Sequence, residues 1–467
     1  MDFSPSAAEI AADLIRNLML GRVGGPPDPR GIRITGATIT GRLDLTDVRS
    51  CLPLQLRECT FAEPVIMDRA ELSSLLLSGF MPGFRATRLR LKNSLTLAGL
   101  TISGSDEDGL VQIQDAYIAG ELDLTDARLD NRVGPAVNAD GIYVGGALRM
   151  QKLWARGVGE SGAVRVRGAK VSGRFTLQGA TVTNESGSAV VGEELRVGDV
   201  AVMSELTATS AGDMATLRLT GAHVGGELTV HGELINSDQG PILDLRDGSL
   251  DGTFTVGGDD FWKQRLVEDP PPKLLLDGFT YKSPPTAPHI DLWLQVIRKC
   301  QPRYTSQPYR QLATACGYVG EEEAAKTVLI AKENEARRRV DRRATKLWKW
   351  ISWVTVAYGY RPGRALWWLG GVMLASCVLM IWADMAGLLR HPTGDGGQPC
   401  GVLEAVTSSI DRSVPLVQLG TAGRCQFTDT SLSQTLFALT VLLQVASWAF
   451  VTLFVAGFTG VVKKASA

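Results

Sequence analysis

Hydrophobic and polar positions alternate in short stretches along residues 31–257, and the stretches share one pattern. Ile118-x-Gly120-x-Leu122-x-Leu124-x-x-Ala127-x-Leu129 aligns with the runs starting at Val144 and Val171, and further copies start at Val197, Val224 and Leu250. Earlier copies, at Ile39, Phe61 and Leu91, follow less regular steps. Alternation over a few residues predicts strands, and a repeat of 26 or 27 residues predicts stacked coils. Neither a 3.6-residue period nor the Asn ladder of a leucine-rich repeat is present. The predicted fold is therefore mainly β: a right-handed β-solenoid of about nine coils over residues 31–288, roughly 43 Å long at ~4.8 Å per coil.

The third pattern position is Gly in the copies starting at 39, 118, 144, 171, 224 and 250, Asn93 in another and Asp199 in another. Those residue types tolerate positive φ, so each coil is expected to turn a corner there; only Glu63 departs from the rule. Residues 1–30 read as a helical N-terminal cap with Ile10, Leu14 and Leu18 on its apolar face, covering the open strand edges. A proline-rich stretch, 269–288, closes the rod. Residues 289–363 read as a helical connector, with Tyr309, Leu312, Ala313, Gly317, Ala324 and Ala325 spaced as in one helical hairpin.

Beyond residue 350 the pattern changes to long apolar runs. Residues 365–383 are uncharged, and residues 430–462 hold no charge over 33 positions. A membrane span needs about 20 apolar residues, so 364–467 reads as a two-span module. No signal peptide is expected within the first 25 residues, which lack a basic n-region. Basic residues precede the first span, and Lys463 and Lys464 follow the second. The positive-inside rule then assigns residues 1–363 and 463–467 to the cytoplasm of a plasma-membrane protein, and loop 385–429 to the outside. Trp348, Trp350 and Trp353 mark the interface. Cys400 and Cys425 fall in the outer loop and are expected to pair as a disulfide, two free thiols being the alternative.

Lys plus Arg number 48 against 49 Asp plus Glu, so no global basic field points to nucleic acid. The basic residues cluster, however: Arg337, Arg338, Arg339, Arg342, Arg343, Lys346 and Lys349 flank a single acid, Asp341. They serve as a topology determinant and as contacts to anionic lipid, readings that are compatible.

No catalytic constellation, metal set or cofactor fingerprint emerges, and no cofactor is expected. His223, His231, His289 and His391 are scattered. Gly157-x-Gly159-x-x-Gly162 matches a dinucleotide pattern but is followed by a strand-like run instead of a helix. Asp106, Glu107 and Asp108 read as a solvated loop.

The outer loop carries more information. Residues 401–411 have helix-forming composition with Leu403, Val406 and Ile410 on one face, and an extended stretch follows. Span, short helix, extended loop and span is the layout of two-span pore-loop channels. In that reading Glu404, Asp411, Ser413, Val414, Pro415, Gln418, Gly420 and Gln444 are the pore-loop candidates. Gln434, Thr440 and Ser447 add polar groups to the second span, and the two acids, seven residues apart, attract cations. Pro415 and the missing potassium-channel filter motif leave open a helix lying flat on the outer leaflet.

The Leu-x-Leu-x-x-Ala coils, Pro308-Tyr309-x-x-Leu312-Ala313, Gly359-Tyr360-Arg361-Pro362 and Ser409-Ile410-Asp411-x-x-Val414-Pro415-x-Val417-x-Leu419-Gly420 together resemble a bacterial family. Its members join a pentapeptide-repeat-like β-solenoid to a two-span C-terminal module and often bear the label membrane-associated oxidoreductase. The resemblance implies a redox enzyme, for which the residues supply no fingerprint. The expected function is a non-enzymatic one: a cytoplasmic solenoid that senses a protein or small-molecule ligand, coupled to a homo-oligomeric, ion-channel-like module in membrane lipid. A membrane-anchored scaffold and an oxidoreductase are the alternatives.

Overall fold

A computed structural model of the chain describes residues 8–23, 28–286, 288–339, 350–355, 357–361, 363–391, 400–413, 420, 425–428 and 430–458. The chain forms two compact units, residues 1–328 and 329–467.

The first unit is a parallel β-solenoid of about nine coils. Two nine-stranded sheets run its length, one from Val65–Ile66 to Lys273–Leu275 and one from Glu71–Leu72 to Thr280–Tyr281. A third, 16-stranded sheet takes two strands from most coils. Register is set by inward ladders: Leu95, Leu122, Leu148 and Phe175 stack rung on rung, as do Ile118, Val144, Val171 and Val197. All of these are buried. A one-residue slip would turn each ladder into water, which is why short two-residue strands suffice.

The corners differ from expectation. Positive φ falls in the two-residue spacer after the paired aliphatics, at Asp47, Arg69, Arg88, Asp115, Gly141, Gly168, Glu194, Gly221 and Asp247. A second series, Gly99, Asp126, Lys152, Gly179 and Glu205, turns the corner between the two strands of the largest sheet. Gly41 alone of the third-position glycines has positive φ. The others are small because coils stack there backbone on backbone. A Cβ at Gly173 would lie 2.9 Å from the Gly146 oxygen, and one at Gly252 only 2.3 Å from the Gly226 oxygen. The same apolar spacing serves both corner series, so the copies at Ile39 and Phe61 belong to a different side of the coil from the rest.

At the N-terminal end, Glu9–Ala11 pairs with Thr38–Thr40, and helix α1 (Ala12–Met19) follows. Its buried face is Ala12, Ile15 and Met19; Leu14 is 45% exposed, so the expected Ile10/Leu14/Leu18 face is rotated. At the other end, α2 (Asp259–Arg265), α3 (Ile290–Cys300) and α4 (Gln307–Tyr318) pack on the last coils. Trp293 meets Phe254 at 5.6 Å and Trp262 at 6.5 Å between ring centroids. Gln307 donates to the Phe279 carbonyl and Gln311 to that of Tyr281, so α4 side chains satisfy the last strand, the edge that would otherwise template another chain. Helix α5 is Glu322–Arg338.

The second unit holds α6 (Gly363–Met385), α7 (Val402–Ser413) and α8 (Ser431–Phe458). Both α6 and residues Ser431–Ala456 are long and apolar enough to cross a membrane. Only 17% and 11% of their most apolar windows are buried, so neither is the enclosed core helix of a water-soluble domain. They run antiparallel: Leu436 clusters with Met380 and Ala383, while Phe450 stacks on Trp368 at 6.3 Å.

Candidate functional site

The second unit gathers most of the polar residues singled out in the sequence. Cys400 and Cys425 are disulfide-bonded with Cα atoms 6.2 Å apart. Beside them Leu389–Arg390 pairs antiparallel with Gln426–Phe427. Cys400, Cys425, Ala405, Leu389, Ala383 and Leu436 share one buried cluster, which fixes the N-terminal end of α7 to the C-terminal end of α6. Further along, Ser409 Oγ hydrogen-bonds Ser376 Oγ at 2.8 Å. Ser376 lies nine residues before Met385, about 13 Å along the helix axis. Helix α7 therefore folds back alongside α6 to its midpoint and does not lie across its end. Twelve residues of helix, about 18 Å, have the length for that.

Buried hydroxyl groups occur on all three helices. Ser376, Ser408, Ser409, Ser433, Thr440 and Ser447 are all buried. Gln444 is half-buried, and Gln434 is exposed near the start of α8 beside exposed Ser431 and Thr435. Glu404 is half-buried, its Oε2 3.0 Å from His391 Nε2. Asp411 is half-buried near the end of α7, Ser413 closes the helix, and Gly420 has φ +66°. Val414, Pro415 and Gln418 lie outside the described residues.

His391, Cys400 and Glu404 have donor atoms within 4.8 Å of one another. The disulfide removes the Cys400 sulfur from that set, since a metal takes the thiolate. Two donors do not make a zinc or iron site.

Of the basic segment, Arg338 and Arg339 both pair with Glu335, at 3.7 and 3.3 Å, an acid just outside the run read from the sequence. Arg337 lies over the Trp353 ring at 5.4 Å. Arg342, Arg343, Lys346 and Lys349 lie outside the described residues. Where the chain enters α6, Tyr358 donates to Asn334 and the Trp368 indole to the Val354 carbonyl.

On the solenoid, 157–162 joins strand Trp154–Gly157 to strand Val164–Arg165, so no helix N-terminus follows the glycines. The loop at 106–108 is shaped by Asn131, which donates to the Asp106 and Pro135 carbonyls, and by the Asp106 carboxylate, which accepts from the Asp108 and Gly109 amides. Burial raises the Cys300 thiol to about 12 and the Cys316 thiol to about 11, which keeps both protonated and inert. Burial works against the Asp140 carboxylate too, but hydrogen bonds from Arg167 and Arg165 outweigh it and hold its pKa below the ordinary value.

One feature on the rod was not anticipated from the sequence. Tyr117 and Tyr143 stack at 4.8 Å with rings 6° from parallel, and a cleft of about 590 Å³ opens beside Tyr117. Its walls come from successive coils, so the signal lay in the register between repeats, not in any one of them.

No family model matches the chain, and no curated protein or solved structure is similar to it.

Proposed function

We propose that this is an integral membrane protein in which a cytoplasmic β-solenoid acts as the interaction or sensing domain of a two-span module that assembles around a pore. The observation that supports the reading is the Ser409–Ser376 contact, because it sets a helix of half-membrane length against the middle of α6. Backbone at that depth requires protein or water around it, and an oligomer supplies both. Gln434, an exposed amide on a helix long and apolar enough to cross a membrane, favours a second copy over lipid as its neighbour. Asp411 near the end of α7 gives such a pore a cation preference, so Asp411→Asn lowers cation conductance. The residue resemblance to bacterial solenoid proteins with a two-span module agrees with this organisation.

A second reading, a membrane-anchored scaffold that conducts nothing, draws on the burial of Ser433, Thr440 and Ser447, which takes three polar positions of α8 away from a water-filled axis. The mass of the detergent-solubilised particle separates the two. A pore predicts several copies of the 50.1 kDa chain, about 200 kDa for a tetramer, whereas a lone chain eliminates the pore and leaves the scaffold.

A further inference from the structure

The geometry points to a nucleotide-binding cleft on the solenoid, with the base stacked on Tyr117 and its phosphate held by Arg90 and Lys92. This concerns the first unit alone and stands whether or not the membrane module conducts.

The cleft is built from consecutive rungs of one sheet. Glu71, Arg90, Tyr117 and Tyr143 are register partners, and Arg49 bridges to Glu71 one rung earlier. Rungs are ~4.8 Å apart, the separation of the two tyrosine rings, so the ring normals run along the rod. Tyr143 covers one face of Tyr117. The other face looks toward the Arg90 rung, where the cleft opens, and Tyr117 is 48% exposed. A planar heterocycle placed there, with the Arg90 side chain turned aside toward the phosphate, continues a stack that two residues have already begun.

Charge supplies the second half of the argument. Arg49, Arg90 and Lys92 line the cleft against one acid, Glu71. Arg49 pairs with Glu71 at 3.5 Å, while neither Arg90 nor Lys92 has an acidic partner among the described residues. Two such cations two positions apart in sequence, one of them a guanidinium, suit a single phosphate better than an extended polyanion. A volume of about 590 Å³ falls in the range of small-molecule sites and accommodates one mononucleotide. Ring on one wall and cations on the other is the complement of a phosphorylated aromatic ligand. An inorganic anion would leave the tyrosine unused, and an uncharged aromatic the cations.

Cys51 provides a direct reporter, since it lines the cleft and is the exposed cysteine among the described residues. The test uses the full-length chain in detergent, with AMP as probe. AMP should give a saturable calorimetric isotherm and slow Cys51 modification by a water-soluble aromatic disulfide. Affinity should fall by about tenfold or more in Tyr117→Ser and in the Arg90→Gln/Lys92→Gln double variant, since stacking a base is worth 1–3 kcal/mol. Arg196→Gln, on the same sheet but away from the cleft, should bind as the parent does. Adenosine and inorganic phosphate should each bind more weakly than AMP. The proposal is overturned if millimolar AMP leaves the Cys51 rate unchanged, if Tyr117→Ser binds AMP as tightly as the parent, or if phosphate alone matches AMP. Unchanged circular dichroism of the variants keeps a folding defect from imitating a lost site.

Discussion

Replacing Gly252 by alanine tests how the coils stack. Its backbone has no positive φ, yet a Cβ there would sit 2.3 Å from the Gly226 carbonyl oxygen and 2.6 Å from its carbon. Relief to ordinary contact requires the last coils to move by about 1 Å against Gly226, an overpacking cost near 3 kcal/mol. For a rod of this size that is a loss of roughly 6 °C or more in melting temperature. Gly168 is the control: it has φ +62° and no atom within 4 Å of a built Cβ, so alanine there costs only the left-handed backbone, about 1 kcal/mol. Asparagine separates the two causes. At 168 it should be milder than alanine, because its side chain tolerates that conformation; at 252 it should be no better, because any Cβ collides. Thermal melts of the full chain by circular dichroism, with deuterium uptake at Ser249–Leu250 to locate the damage, provide the measurement. Equal losses at 252 and 168, or rescue by asparagine at 252, would refute stacking by backbone contact.

Two further outcomes follow from the same unit. Asp140→Asn breaks the contacts with Arg165 and Arg167 and should cost about 1–3 kcal/mol near neutral pH. Because the folded pKa of Asp140 is lowered, that deficit is whole above the ordinary carboxylate value of 3.8 and shrinks as pH falls below it, which melts of parent and variant across pH 2–7 would trace. The proposed cytoplasmic solenoid predicts that a membrane-impermeant maleimide labels Cys51 only after cells are opened; labelling in intact cells would reverse the topology, while Cys300, 1% exposed, should stay silent in both.

The coils were legible because each buries aliphatics at fixed spacing, and the two long apolar helices because their runs carry no charge over 19 and 33 positions. What escaped the sequence was set by neighbours distant along the chain. Glycine at the third position reads as a flexible corner, and only Gly146 beneath Gly173 reveals that it answers a close approach. The true corners carry Asp47, Arg69 or Lys152, charged residues that look merely solvated in a spacer. That α7 packs lengthwise along α6 shows in the contact between Ser409 and Ser376, 33 residues apart in sequence. The cleft beside Tyr117 drew its residues from separate coils, so only register could assemble it.

The most direct test of the membrane account is the depth of α7 in a bilayer. Nitroxides placed singly at Leu403 and Ile410, seven residues apart on the helix, can be ranked by collision with oxygen and with a water-soluble nickel chelate in reconstituted vesicles. A helix folded back along α6 predicts the label at Ile410 about 10 Å deeper than the one at Leu403. Equal depth for both, at the level of the headgroups, would contradict the folded-back helix and the pore built upon it.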